Sequence, residues 1–247
     1  MRTILIDGDI VLYEIATSCE VATDWGDDMW TYHCDFKEAK QRYDCWISDM
    51  QERLEADRVI IAMSGSQNWR KEVLPEYKHH RKKRRKPMIF KALKEYSNEV
   101  YKTYQFDDLE ADDVLGLLAG EPGIAKLTGE KIVVTIDKDL KTIPGLHYNP
   151  MRPQEGICEV TKDQADYNHY FQTLTGDSVD GYSGCPGIGP KRAARVLAHP
   201  CWGAVIEAYG TAGLTEEDAL VQARVARILR YGEYNVKKGL VNLWEPK

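Results

Sequence analysis

The 247 residues carry 33 Lys and Arg against 39 Asp and Glu, and 43% of them are hydrophobic. That is enough chain to bury a full core in one large α/β domain with a smaller helical piece. No uninterrupted apolar stretch approaches the length of a bilayer span, and Thr3-Ile4-Leu5-Ile6 follows the first residues without a secretory segment, so a soluble cytoplasmic protein is expected. The six cysteines (19, 34, 45, 158, 185 and 201) form no C-x-x-C pair, which argues against structural zinc and suits reduced thiols. The net charge of −6 does not exclude a nucleic-acid partner, because cations bound by a carboxylate cluster invert its local charge.

Residues 3–7 read as a buried strand, followed by a helix from Ile10 to Ala16; Asp7 and Asp9 stand at the turn between them, where either could simply cap the helix. Residues 24–35 give no clear pattern. Ala39, Tyr43, Trp46, Ile47, Met50 and Leu54 recur at three- and four-residue spacing, predicting a helix over 36–54 whose aromatic stripe is core. Val59 to Met63 is the next strand, and Ser64 to Arg70 the loop at its carboxyl end. The run from Lys78 to Lys86 then contains no acid. So dense a positive segment repels itself unless a polyanion or open solvent offsets it. It reads as a phosphate-binding arch over about 70–98, with Arg70, Lys71, Lys82, Lys83, Arg84, Arg85 and Lys86 as DNA contacts; His79 and His80 belong to its polar surface and are not metal ligands.

A helix over 88–98 and a short strand over 100–104 follow. Another helix is expected from Asp108, as N-cap, to Ala119. Early-turn acids favour the helix dipole, but Asp107, Asp108, Glu110, Asp112 and Asp113 together exceed what a dipole needs. Lys131 to Ile136 is the central strand, an apolar β-branched run ending in Asp137-Lys138-Asp139, and 145–149 is one more strand. Alternating strands and helices predict a mostly parallel sheet covered on both faces, ending near residue 160. From Thr161 the pattern turns helical, opening with a capping box at Thr161-Lys162-Asp163-Gln164. Asp177 and Asp180 follow that helix. Then come Gly187, Gly189, a helix-starting Pro190, Lys191 and Arg192, a combination that presents backbone amides and basic side chains to a phosphate. Helices over 202–209 and 216–231 and a docked tail at 242–244 complete the chain.

In an open parallel sheet, the reactive crevice lies at the carboxyl ends of the strands. Four segments bring acids there, and the expected ligand set is Asp7, Glu110, Asp112, Asp113, Asp137, Asp139, Asp177 and Asp180. A carboxylate-rich set poor in histidine and thiol suits hard ions such as Mg²⁺, with Mn²⁺ as a substitute. Two such ions roughly 4 Å apart can activate water and stabilise the charge of a phosphodiester under attack. The alternatives are a catalytically silent DNA-binding module, its acids serving as caps, and a structure-specific RNA endonuclease.

Leu5-Ile6-Asp7-Gly8-Asp9, Glu110-Ala111-Asp112-Asp113, Thr135-Ile136-Asp137-Lys138-Asp139-Leu140 and the run 176–184 together resemble the phage and bacterial 5′-nuclease family, which includes flap endonucleases. Asn68-Trp69-Arg70-Lys71-Glu72 and Ala226-Arg227-Ile228-Leu229-Arg230 resemble more narrowly the stand-alone exonuclease of short-tailed lytic phages. The resemblance covers nearly the whole chain. It implies a PIN-like nuclease domain over 1–160, a helix–three-turn–helix DNA-binding region over 161–247, and a two-metal site on the eight acids. It further implies that Lys78 and Arg81 assist at the scissile phosphate. The expected activity is release of nucleotides from 5′ ends of duplex DNA, with RNA-primer removal and 5′-flap cutting related to it, and RNA–DNA hybrids as further substrates. A monomer and a potassium ion at the Gly187–Gly189 turn complete the expectations. Gly65 stands where the family usually carries an aspartate, so one outer-sphere metal contact is expected to be missing.

Overall fold

The computed structural model describes residues 1–80 and 85–246. Its centre is a six-stranded sheet built from β1 (Arg2–Asp7), β4 (Arg58–Met63), β5 (Thr103–Gln105), β6 (Glu130–Val134), β7 (Gly145–Tyr148) and β8 (Ile157–Val160), in the order β5-β4-β1-β6-β7-β8. The pairs β1–β4, β1–β6, β4–β5 and β6–β7 are parallel; the edge strand β8 runs antiparallel to β7. Register places Ile6 beside Val134 and Asp7 beside Ala62, so the carboxyl ends of β1, β4 and β6 open onto one edge.

Side chains alternate across the sheet. Ile4, Ile6, Ile132 and Val134 face one core with α1 (Gly8–Ser18), α2 (Phe36–Arg53) and α4 (Phe90–Val100). Leu5, Val133, Ile60 and Ala62 face the other, covered by α5 (Ala111–Ala119) and by Ile228 and Leu229 from the far end of the chain. Burial of both faces explains why the central strands read as continuous apolar runs. A helical group forms a third core around Leu174, Leu197, Trp202, Val205 and Tyr209: α6 (Lys162–Thr175), α7 (Pro190–Val196), α8 (Trp202–Thr211) and α9 (Glu216–Ala226). Trp244 docks onto it edge-on to His169 and Trp202, as expected for the tail. Tyr77, Tyr182, Val225 and Ala226 make a small fourth core beneath α3 (Arg70–Val73).

Several boundaries differ from the sequence reading. The unpatterned stretch is a hairpin of β2 (Val21–Asp24) and β3 (Trp30–His33), exposed along both strands, so it carries no inward-outward alternation to read. The α1 helix begins at Gly8 because Asp7 is its N-cap. The N-cap of α5 is Glu110, closed by a capping box with Asp113, and Asp108 instead accepts from the Tyr234 hydroxyl. The last long helix stops at Ala226; the residues after it run extended against the sheet, ending in the small ladder β9 (Tyr234–Asn235) with β10 (Leu240–Val241). Among the described residues no helix is long and apolar enough to cross a membrane.

Candidate metal centre

Each acid of the cavity is set by the end of an element. Asp7 terminates β1 and is 2% exposed; its Oδ1 accepts from the Ile10 amide at 3.4 Å and its Oδ2 from the Thr135 hydroxyl at 3.1 Å. That same hydroxyl accepts from the Asp137 amide at 3.1 Å, tying the ends of β1 and β6 together. Asp137 accepts from the Asp139 amide at 2.8 Å, starting the 3₁₀ turn that carries Asp139. Glu110 and Asp112 come from the first turn of α5, whose entry is held where the Ala111 amide donates to the Ser64 hydroxyl at 2.9 Å. Asp177 and Asp180 come from the turn after α6, with Asp177 Oδ1 accepting from the Val179 and Asp180 amides at 2.6 and 3.2 Å.

Seven of the eight predicted acids, all but Asp113, line one cavity of about 390 Å³ together with Asp9, Lys78, Tyr77 and Lys138. Among the described residues their electrostatics are those of carboxylates crowded against one another. Burial and then the Asp9 carboxylate push Asp7 up to about 7. Burial, then Asp137, push Asp139 up to about 6. Burial and then Asp7 push Asp112 well above the carboxylate range. Glu110 is the exception: burial acts upward on it too, but Lys78 and Arg70 together outweigh that and hold it down at about 2. Asp9 Oδ1 is buried without a hydrogen-bond partner. An all-oxygen donor set with unbalanced negative charge fits hard divalent cations. Yet among the described residues no three acids, imidazoles or thiols converge tightly enough to close a shell of their own. Water must complete any shell here, as it usually does for Mg²⁺.

Lys78 also lines the cavity. Lys78 Nζ lies 2.6 Å from Glu110 Oε1 and 3.3 Å from Asp180 Oδ2, and the Tyr77 hydroxyl lies 3.0 Å from both Glu110 and Asp180, with one proton to donate to either. His79 and His80 are exposed, away from the cavity lining.

Two expectations are corrected. Asp113 was expected among the metal ligands, but it is fully buried beneath the cavity with both oxygens engaged. Arg70 donates to them at 2.7 and 2.8 Å, the Trp69 indole at 3.1 Å and the Leu229 amide at 3.1 Å. Arg70 was expected on DNA, but it is 2% exposed, and its remaining donors reach Glu110, the Val225 carbonyl and the Arg227 carbonyl. A guanidinium whose donors are spent on protein acceptors has none left for a phosphate.

Of the other proposed DNA contacts, Lys71, Lys86, Lys191, Gly187 and Gly189 are exposed. Gly187 adopts a left-handed φ of 74°, and its carbonyl accepts from the exposed Arg192 at 2.9 Å. Arg85 is engaged within the protein: it pairs with Glu20 and lies over the Tyr32 ring at 3.8 Å. Arg81, Lys82, Lys83 and Arg84 fall outside the described residues.

The sequence reading leaves Asp9 out of the ligand set and does not single out Tyr77. Asp9 accepts from the Ser64 amide at 3.2 Å, and Lys94 Nζ lies 3.8 Å from its Oδ1. Its signal was the Asp-Gly-Asp spacing, indistinguishable from a helix cap. Tyr77 carried no signal. A Cβ on Gly65 would meet the Phe106 and Asp107 carbonyl oxygens at 2.1 and 2.3 Å, so the backbone packs too closely there for any side chain.

The raised carboxyls make stability depend on pH with a definite sign. Asp7 and Asp139 hold protons in the folded chain that the unfolded chain, with aspartates near about 3.9, has already lost. At these two groups the folded state binds more protons between about pH 4 and 7, so their contribution to stability falls as pH rises through that window. Buried His169, pushed down to about 3, works the other way up to about pH 6.5. Relative to Asp7→Asn, wild type in EDTA should therefore lose melting temperature from pH 5 to pH 8, and Mg²⁺ should raise it more at pH 8 than at pH 5. A difference between the two proteins that stays flat or rises over this range would contradict the raised Asp7 carboxyl.

Residues 3–165 match the family model described as 5'-3' exonuclease, N-terminal resolvase-like domain. The chain is 30% identical to the exodeoxyribonuclease of Enterobacteria phage T3 over 99% of its own length and 93% of that protein's. It is 31% identical to the exonuclease of Escherichia phage T7, over 98% and 93% respectively. Among solved structures, T5 5'-exonuclease with bound divalent zinc superposes with a TM-score of 0.68 at 16% identity, covering 92% of this chain and 89% of that one, a likeness of fold. The chain belongs to the 5′–3′ exonuclease and flap-endonuclease family.

Proposed function

We propose that this protein is a divalent-metal-dependent nuclease that releases nucleotides from 5′ ends of duplex DNA and cuts 5′ flaps. The observation that carries this reading is the gathering of seven carboxylates from four separate segments into one cavity at the carboxyl ends of the parallel strands. Asp7, Glu110, Asp112, Asp137, Asp139, Asp177 and Asp180 would hold a pair of Mg²⁺ ions, which Mn²⁺ can replace. Bound there, such ions would supply Lewis acidity toward a phosphoryl oxygen and lower the pKa of water. The Thr135 hydroxyl keeps Asp7 and Asp137 in fixed relation. Tyr77 orients Glu110 and Asp180 through its hydroxyl. The Lys78 ammonium, beside these carboxylates, is the group to neutralise charge on the scissile phosphate. Arg81 is assigned the same role.

The basic segment through Lys71, Lys82, Lys83, Arg84, Arg85 and Lys86, and the turn at Gly187 and Gly189 with Lys191 and Arg192, would track the duplex backbone. The same turn would hold a potassium ion. We read the sheet as PIN-like over 1–160, and α6 to α7 with their connecting turns as a helix–three-turn–helix opening the 161–247 region. RNA primers and RNA–DNA hybrids fall within the same backbone-directed chemistry, and a monomer in the cytoplasm is the form proposed.

The test is a panel of 5′-labelled substrates (DNA duplex, 5′-flap DNA, RNA–DNA hybrid and single-stranded RNA) with Mg²⁺, for wild type and Asp137→Ala. Wild type should cleave the DNA substrates only with the metal, and Asp137→Ala should bind them without cleaving. Equal cleavage by both proteins, or cleavage confined to single-stranded RNA, would overturn the reading.

A further inference from the structure

We propose that Lys78 is the built-in counter-ion of this cavity: its ammonium sits between Glu110 and Asp180, two of the acids that would hold a divalent ion, and metal binding displaces it. The inference rests on the cavity being a metal centre and adds a competition within it.

Lys78 Nζ bridges carboxylates from two different elements, Glu110 at the start of α5 and Asp180 in the turn after α6. Its side chain is only 15% exposed, and theirs are 17% and 20%. An ammonium so far removed from water, on acids this close, is held as firmly as a ligand. The backbone makes the placement deliberate. Lys78 adopts a left-handed φ of 53°, a conformation costly for a residue with a side chain, and its amide donates to the Asp180 carbonyl at 2.8 Å. The segment is thus pinned by the same turn whose carboxylate the ammonium contacts.

The competition accounts for two features that otherwise conflict. The cavity collects seven acids, yet no three described acids close around a point. An ammonium lodged between Glu110 and Asp180 takes part of the space, and satisfies part of the negative charge, with which the acids would gather around a metal ion. A doubly charged ion within contact distance of Glu110 would repel the ammonium while competing for the same oxygens, so the two cannot both be held there. Displacement would free Lys78 at the moment the site becomes able to act on a phosphate, making one side chain a plug in the metal-free protein and an electrophile in the loaded one.

The competition is read by calorimetric titration of Mn²⁺ into the DNA-free protein. Lys78→Met, which keeps an unbranched side chain but removes the charge, should bind Mn²⁺ roughly 5- to 50-fold more tightly than wild type. Lys78→Arg, which keeps the charge, should stay near wild type. Independently, the Lys78 ammonium resonance of wild type should be visible as an ion-paired signal in ¹⁵N-detected spectra and should vanish or shift as diamagnetic Mg²⁺ is added. Unchanged or weaker binding by Lys78→Met, or a resonance indifferent to Mg²⁺, overturns the counter-ion. Absence of Mn²⁺ binding by both wild type and Lys78→Met overturns the metal centre itself, and the counter-ion with it.

Discussion

Replacing Asp112 with asparagine should lower metal-dependent turnover by about 10²–10³-fold while raising the melting temperature of the metal-free protein. The two effects have one cause. Asp112 sits among Asp7, Glu110 and Asp137, and burial together with these neighbours drives its carboxyl well above the usual range, against the opposing pull of Lys78. A group whose proton is held that strongly is destabilising whenever it ionises, and asparagine keeps its shape without its charge. In the proposed metal-loaded enzyme the same charge would be a ligand, so its loss would weaken the hold on the ions and the reaction they support. Turnover of a 5′-labelled duplex at saturating Mg²⁺ and melting in EDTA measure the two halves separately. A fall in both would mean that the carboxylate is satisfied in the metal-free protein, and that the cavity is not short of positive charge. The trade of stability for activity is what a site assembled from like charges must show.

What could be read before folding was whatever the chain states locally. The strand runs Ile4-Leu5-Ile6-Asp7 and Val133 to Asp137 announce both a buried strand and the place where it leaves the sheet, and Asp7 and Asp137 lie there. The Thr161–Gln164 capping box formed as its spacing predicts, with the Gln164 amide donating to the Thr161 hydroxyl. What could not be read depended on partners remote in sequence. Arg70 lies near the head of the basic segment, and nothing in its neighbours distinguishes a phosphate contact from a buried strut. The distinction is made by the Val225 and Arg227 carbonyls, more than 150 residues away. Asp113 shares a tetrapeptide with Glu110 and Asp112, yet the helix turns it inward, onto Arg70, while its neighbours face the cavity. Spacing along a first turn says which acids are near the site, not which side of the helix entry each one faces. The Gly65 reading was incomplete for a similar reason. The missing aspartate was visible, but not the carbonyls of Phe106 and Asp107 that leave no room for one, nor Asp9 approaching the Ser64 amide beside it.

Arg70 supplies the second large expected effect, this one on stability. Replacing it with methionine should destabilise the fold by about 3–5 kcal/mol, because Asp113 is left as a buried carboxylate without its bidentate partner. For a chain of this size that corresponds to a fall of roughly 6–20 °C in melting temperature. The strut ties the entry of α5 to the end of α9 through Asp113, the Val225 carbonyl and the Arg227 carbonyl, so its loss should also loosen Glu110, which Arg70 contacts at 3.2 Å. Most of the penalty belongs to the orphaned charge and not to the missing attraction. A double variant, Arg70→Met with Asp113→Leu, should therefore recover a large part of the stability that Arg70→Met alone removes. The salt dependence of DNA binding separates this role from the one the basic segment suggests. If Arg70 held a phosphate, its replacement would flatten the slope by about one unit, whereas a buried strut leaves the slope unchanged in any variant that still folds. A flattened slope with an unaltered melting temperature would return Arg70 to the DNA surface and Asp113 to the candidate ligands.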